Sequence, residues 1–223
     1  STSLSLSLSL LTPLHSSAAT QRNSCFLVGL VFQHLLSTSP AAIVAQLPQC
    51  LSLLRPLVSG RGTLDDALVD NACSGVSKIV VALVQSVMQK GGSQLLPPAQ
   101  ISLTIGQVLP VLLHALPIQI DHEEDKPVYV DCIGVLLGIG AGAGVSPEES
   151  SSEAREICRG ALSKLLPQVV TVLVKAMPTA DGPGVREGIV QALGAAVKGY
   201  GAAPQQLVSG LQQAEVQWLQ TVV

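Results

Sequence analysis

The sequence predicts an all-α fold, a solenoid of stacked antiparallel helix pairs, and three observations lead there. Apolar residues make up 48% of the chain while aromatic residues make up only 2%, so the interior must be built from Leu, Val, Ala and Gly at close spacing. Such material suits helix-on-helix packing better than a β-sandwich, which draws on aromatic and Thr-rich strands. A charged residue followed by apolar residues with helical spacing recurs along the chain. Between these segments stands a second recurring segment that opens on Leu-Pro.

The first recurring segment aligns Arg22, Asp70, Asp131 and Glu187 in one column, at separations of 48, 61 and 56 residues. Two residues on come Ser24, Ala72, Ile133 and Ile189, and seven residues on come Gly29, Ser77, Gly138 and Gly194. Ile189, Ala192, Leu193 and Ala196 follow the i, i+3, i+4, i+7 pattern of one helix face. Asp70, Asp131 and Glu187 sit near a first turn, where the helix N-terminus favours negative charge; Arg22 departs from that rule.

The second segment reads Leu47-Pro48, Leu109-Pro110 and Leu166-Pro167, each leading an aliphatic run. Proline fits a first helical turn, where its missing N–H leaves no bond unmade, and bends a helix that begins further upstream. The predicted pairs are Ala18–Ser37 with Ala41–Val58, Leu64–Gln89 with Ser102–Leu116, Lys126–Gly140 with Glu153–Met177, and Val185–Tyr200 with Gln205–Thr221. Turn signals separate them at Ser59-Gly60-Arg61-Gly62, Gly91-Gly92-Ser93, Gly142 to Pro147 and Asp181-Gly182-Pro183-Gly184. The Ser/Leu alternation of residues 1–17 reads as a low-complexity lead-in or the end of a preceding repeat. Residues 18–223 read as about four helix pairs, a fragment of a longer array in which each pair needs its neighbours to cover its apolar surface.

Composition also bounds function. Net charge is −3, and the twelve Lys and Arg residues are scattered, which leaves no electrostatic footprint for nucleic acid. The apolar stretch Val128 to Val145 contains Asp131 and five glycines, unlike the roughly 20 continuous apolar residues of a membrane span. Five cysteines, Cys25, Cys50, Cys73, Cys132 and Cys158, form no CxxC pair and read as buried free thiols, with no zinc site. No nucleophile elbow, P-loop or HExxH motif is present, so no catalytic residue and no cofactor are assigned. The run Gly138, Gly140, Gly142, Gly144 follows a helix where a phosphate loop would follow a strand, and reads as a helix end and link.

The acidic run Asp121, Glu123, Glu124, Asp125 is the one surface feature with an evident class of partner, because clustered carboxylates pair with Lys and Arg. The alternative is a solvated loop that helps start the next helix. His122, within the run, lacks a second ligand at metal-binding spacing, and His114 reads as an ordinary helix residue.

Val69-Asp70-Asn71-Ala72-Cys73-Ser74-Gly75-Val76, then Val108-Leu109-Pro110-Val111-Leu112-Leu113-His114-Ala115-Leu116-Pro117, then Asp121-His122-Glu123-Glu124-Asp125 occur in this order. That succession resembles the C-terminal HEAT repeats of the importin-beta (karyopherin-beta) family of nuclear transport receptors, in its importin four and five branch. The resemblance extends over about Gln21 to Leu137; Val69 stands where that branch has an arginine, and the Gly/Ser-rich link after Gly140 is longer than the branch would have. It implies a HEAT-repeat solenoid that carries basic protein cargo, ribosomal-protein or histone-like, into the nucleus under control of the Ran GTPase, with residence in cytoplasm and nucleus. The family's principal Ran-binding repeats are N-terminal, so no Ran contact is carried over. The rival expectation is a general HEAT-repeat protein-interaction scaffold of the phosphatase or chromosome-organising type.

Overall fold

A computed structural model describes residues 17–38, 40–88, 96–142, 152–200 and 204–222. The described residues are helical with no strand, as the composition predicts. In chain order the elements are α1 (Ala18–Thr38), α2 (Pro40–Val58), α3 (Asp66–Met88), α4 (Pro98–Ala115), a 3-10 turn (His122–Glu124), a π-helical segment (Lys126–Gly134) running into α5 (Val135–Ala141), α6 (Ser152–Leu162), α7 (Leu166–Ala176), α8 (Val185–Gly199), α9 (Pro204–Leu207) and α10 (Gln213–Val222).

Packing follows an alternate rule. Helix α1 lies along α3, α3 against the π-helical segment, and that segment with α5 against α8. On the other side α2 meets α4, α4 meets α6 and α7, and α7 meets α9. Glycine makes the first row possible. A Cβ on Gly75 would stand 2.7 Å from the Cys25 carbonyl oxygen, and one on Gly29 would stand 3.1 Å from the Gly75 Cα. On α8, a Cβ on Gly188 would stand 2.7 Å from Val130.

Helix α3 is the centre of the first row, and every residue from Ala67 to Val84 is buried. It is the one helix among the described residues that is long and apolar enough to cross a membrane, but its whole apolar window is covered by protein. Its interior also holds Asp70 and Lys78, which the hydrophobic pattern alone would not place there.

Three elements differ from the sequence expectation. The helix expected over Glu153–Met177 is two, α6 and α7, bent by 81° at Ser163–Leu165. Pro167 lacks the N–H that would bond the Ser163 carbonyl, and its ring crowds that carbonyl, so the turn falls there and the proline takes a place in the first turn of α7. The helix expected over Gln205–Thr221 likewise splits into α9 and α10. The Gln212 N–H donates to the Glu215 carboxylate at 2.7 Å, a reach-back bond that starts a new helix. Third, residues Lys126–Gly134 wind as a π-helix. Its buried doublets Val128-Tyr129 and Cys132-Ile133, followed by Leu136-Leu137 at the start of α5, repeat every fourth residue, a longer period than the 3.6 of an α-helix. Wider winding keeps the doublets on one face.

Asp70 and Asp131, aligned in one column by sequence, occupy different surroundings: Asp70 is fully buried and Asp131 is exposed. Pro48, Pro56 and Pro110 lie inside α2 and α4, since those helices begin upstream of the Leu-Pro pairs.

Candidate functional site: a buried polar rack beneath the acidic loop

Three polar side chains of α3, Asp70, Asn71 and Lys78, reach the segment from Pro117 to Asp125. Asp70 is the anchor. Its carboxylate accepts the backbone N–H groups of Gln119 (3.2 Å), Ile120 (2.8 Å) and Asp121 (3.1 Å). It also accepts from the Arg61 guanidinium at 2.5 Å. Three consecutive amides that enter no helix thus find an acceptor inside the protein, which removes the cost of burying them unpaired. Arg61 in turn donates to Asp66 at 3.0 Å and through Nε to the Ala115 carbonyl at 2.9 Å, closing the end of α4.

The next residue, Asn71, donates its side-chain amide to the Asp121 carboxylate at 2.7 Å and to the Ala67 carbonyl at 3.0 Å. About two turns on from Asp70, Lys78 pairs with Glu124 at 3.3 Å and also bonds the Ser74 hydroxyl. Its ammonium lies 4.6 Å from the centre of the Phe26 ring, which joins α1 to the network. Burial pushes Lys78 below the usual lysine range, and the Glu124 charge pulls it back part of the way. Asp125 accepts the Asp181 N–H at 3.1 Å and contacts His122 Nδ1 at 3.1 Å. Its pKa is raised, chiefly by burial, with the Asp181 N–H and His122 acting in the opposite direction. Tyr129, buried in the π-helical segment, accepts the Ile118 N–H on its phenol oxygen at 2.7 Å.

The sequence-predicted residues therefore part company. Glu123 is exposed and Asp121 is half-buried, while Glu124 and Asp125 are turned inward with partners of their own. The run is neither a set of four solvent-facing carboxylates nor a freely solvated loop. Sequence reasoning missed Arg61, Asp70, Asn71 and Lys78 as the partners of this loop. A signal was present: Asp70, Asn71 and Lys78 lie within a long, mainly apolar helix, and ionic or amide side chains buried with it must be paired inside.

Chemically, the rack binds the chain to itself. The thiols of Cys25, Cys73, Cys132 and Cys158 are pushed up to about 12 by burial and that of Cys50 to about 11, so none is a ready nucleophile. Among the described residues no group of three or more His, Cys, Asp or Glu side chains is placed to hold a metal.

Two clefts of about 500 Å³ lie elsewhere. One, of about 510 Å³, is lined by Met88, Val130, Gly138 and Gln191 between α3, the π-helical segment with α5, and α8. The other is lined by residues of α7, α8 and α10. Comparison of the chain with protein-family models, with curated proteins and with solved structures finds no match to any of them.

Proposed function

We propose that the chain is a stretch of HEAT-type helical solenoid that serves as a protein-binding scaffold, in an importin-beta-type receptor for basic cargo. The observation that carries this reading is the alternate packing, in which α1, α3, the π-helical segment with α5, and α8 form one row and α2, α4, α6 with α7, and α9 form another. A fold in which each pair covers only its neighbours leaves long surfaces for extended partners. The receptor role itself rests on the sequence resemblance, and Ran would act through the full-length receptor.

Within that reading, the basic partner meets Glu123 and the outer oxygen of Asp121. Glu124 and Asp125 hold the loop in place. The internal use of these two carboxylates favours a second reading on a specific point: a general HEAT-repeat scaffold has no need of an acidic cargo contact here.

The test is titration of the 223-residue chain with a Lys/Arg-rich histone-tail peptide across a salt series, beside the Asp121→Ser, Glu123→Ser double variant. Salt-sensitive binding that weakens in the variant supports the receptor reading. Binding that ignores salt, or its absence, sinks the basic-cargo contact and leaves the general scaffold.

A further inference from the structure

The cleft between α7, the start of α8 and α10 has a chemistry opposite to that of the acidic loop. Its walls include Val174 and Met177 of the α7 end and Trp218 of α10, with Lys175, Arg186 and Glu215 at the polar positions. At about 500 Å³ it has the size of a site for a few side chains of a peptide. Its hydrogen-bonding groups are unbalanced toward donors. Lys175 is exposed and makes no ion pair or hydrogen bond among the described residues. Arg186 uses its Nε–H on the Ala180 carbonyl at 3.0 Å, a bond that fixes the guanidinium while leaving its terminal N–H groups over. The one carboxylate, Glu215, is engaged at 2.7 Å by the Gln212 N–H that starts α10. A cleft with two cations, an occupied carboxylate and an apolar floor is complementary to a ligand that brings an acceptor charge beside an apolar side chain.

We propose that this cleft binds an acidic peptide segment of a partner protein, with an apolar side chain seated on Met177 and Trp218 and a neighbouring carboxylate held by Lys175 and Arg186. Arg186, pre-fixed by Ala180, supplies the directed contact, and Lys175 adds the mobile charge. The cleft shares no lining residue with the loop of Asp121 and Glu123, and the two select partners of opposite sign.

Trp218 is the only tryptophan of the chain, so its emission reports on the cleft alone. The probe is a short synthetic peptide of leucine, glutamate and serine, run beside its glutamine-for-glutamate and lysine-for-glutamate counterparts. The glutamate peptide is expected to shift the emission saturably, the glutamine peptide to bind roughly tenfold more weakly, and the lysine peptide to give no shift. Lys175→Glu, at an exposed position, is expected to leave the helices intact by circular dichroism and to weaken the glutamate peptide roughly tenfold, while Lys164→Glu, outside the cleft, is expected to leave it unchanged. Equal affinity for the glutamate and glutamine peptides, preference for the lysine peptide, no saturable shift, or an unaltered affinity in Lys175→Glu would each overturn the proposal.

Discussion

The region around α3 and the region from α6 to α10 are built from similar helices and held by different forces. Around α3, a rack of buried charge fixes what the apolar contacts surround: Asp70, Asn71 and Lys78 reach across to Arg61 and to the segment Gln119–Glu124. From α6 onward, among the described residues, the contacts are mostly aliphatic and glycine-mediated, helices are short, and the side-chain hydrogen bonds lie mainly within one turn. One bond, from the Asp181 N–H to Asp125, ties the second region to the rack. Apolar packing is thus enough to stack helices, while the placement of a loop that enters no helix needs a directed acceptor.

The comparison is broken most strongly at Asp70. Asp70→Asn removes the charge facing Arg61 and weakens the acceptor of three amides; it is expected to cost about 3–5 kcal/mol in urea unfolding, as for one partner of a buried pair. A similar change at a polar position from α6 onward, such as Thr171→Val, is expected to cost under about 1.5 kcal/mol.

Lys78→Met, which strands Glu124 inside, is expected to cost about 3 kcal/mol. Adding Glu124→Leu should restore most of that loss, since a buried pair replaced whole by apolar groups is close to neutral. If the double variant is as unstable as the single one, the pair does more than satisfy itself.

Gly75→Ala probes the apolar side of the same region. Its new methyl would stand 2.7 Å from the Cys25 carbonyl oxygen, so α1 must move away from α3, at about 1–3 kcal/mol.

Asp125 gives a pH-dependent test of the tie between the regions. Burial raises its pKa in the folded protein, so its contribution to stability is present below the ordinary carboxylate range and declines as pH rises through the folded value. The stability of the wild type relative to Asp125→Asn should therefore fall over that rise, as read from urea unfolding at several pH values; an increase would mean that His122 and the Asp181 N–H outweigh burial. The smallest effect is expected at Glu123, exposed and without a partner among the described residues, where Glu123→Ser should change stability by less than about 0.5 kcal/mol.

Much of the first region was legible in the sequence. The start of α3 falls two residues from the periodic expectation, because its apolar run is long and preceded by Gly62. The bend before α7 was harder to place: Pro167 permits both a first turn and a mid-helix kink, and the choice depends on where the upstream turn stops. The π-helical winding was written in doublets four residues apart, but a search for the α period reads them as one face of an ordinary helix. The acidic run was visible as charge; the direction in which each carboxylate points was not, because Lys78 lies 46 residues from Glu124 in the chain. Partner identity depends on such long-range pairing, which local spacing does not encode.

The most direct measurement is amide hydrogen exchange of Gln119, Ile120 and Asp121 in the wild-type chain. Gln119 and Ile120 are exposed residues outside any helix, so their amides would ordinarily exchange at loop rates. If the Asp70 carboxylate holds them, all three are protected to a degree that approaches the amides of α3. Exchange at the rate of an open loop would contradict the rack, and with it the assignment of Glu124 and Asp125 to the interior.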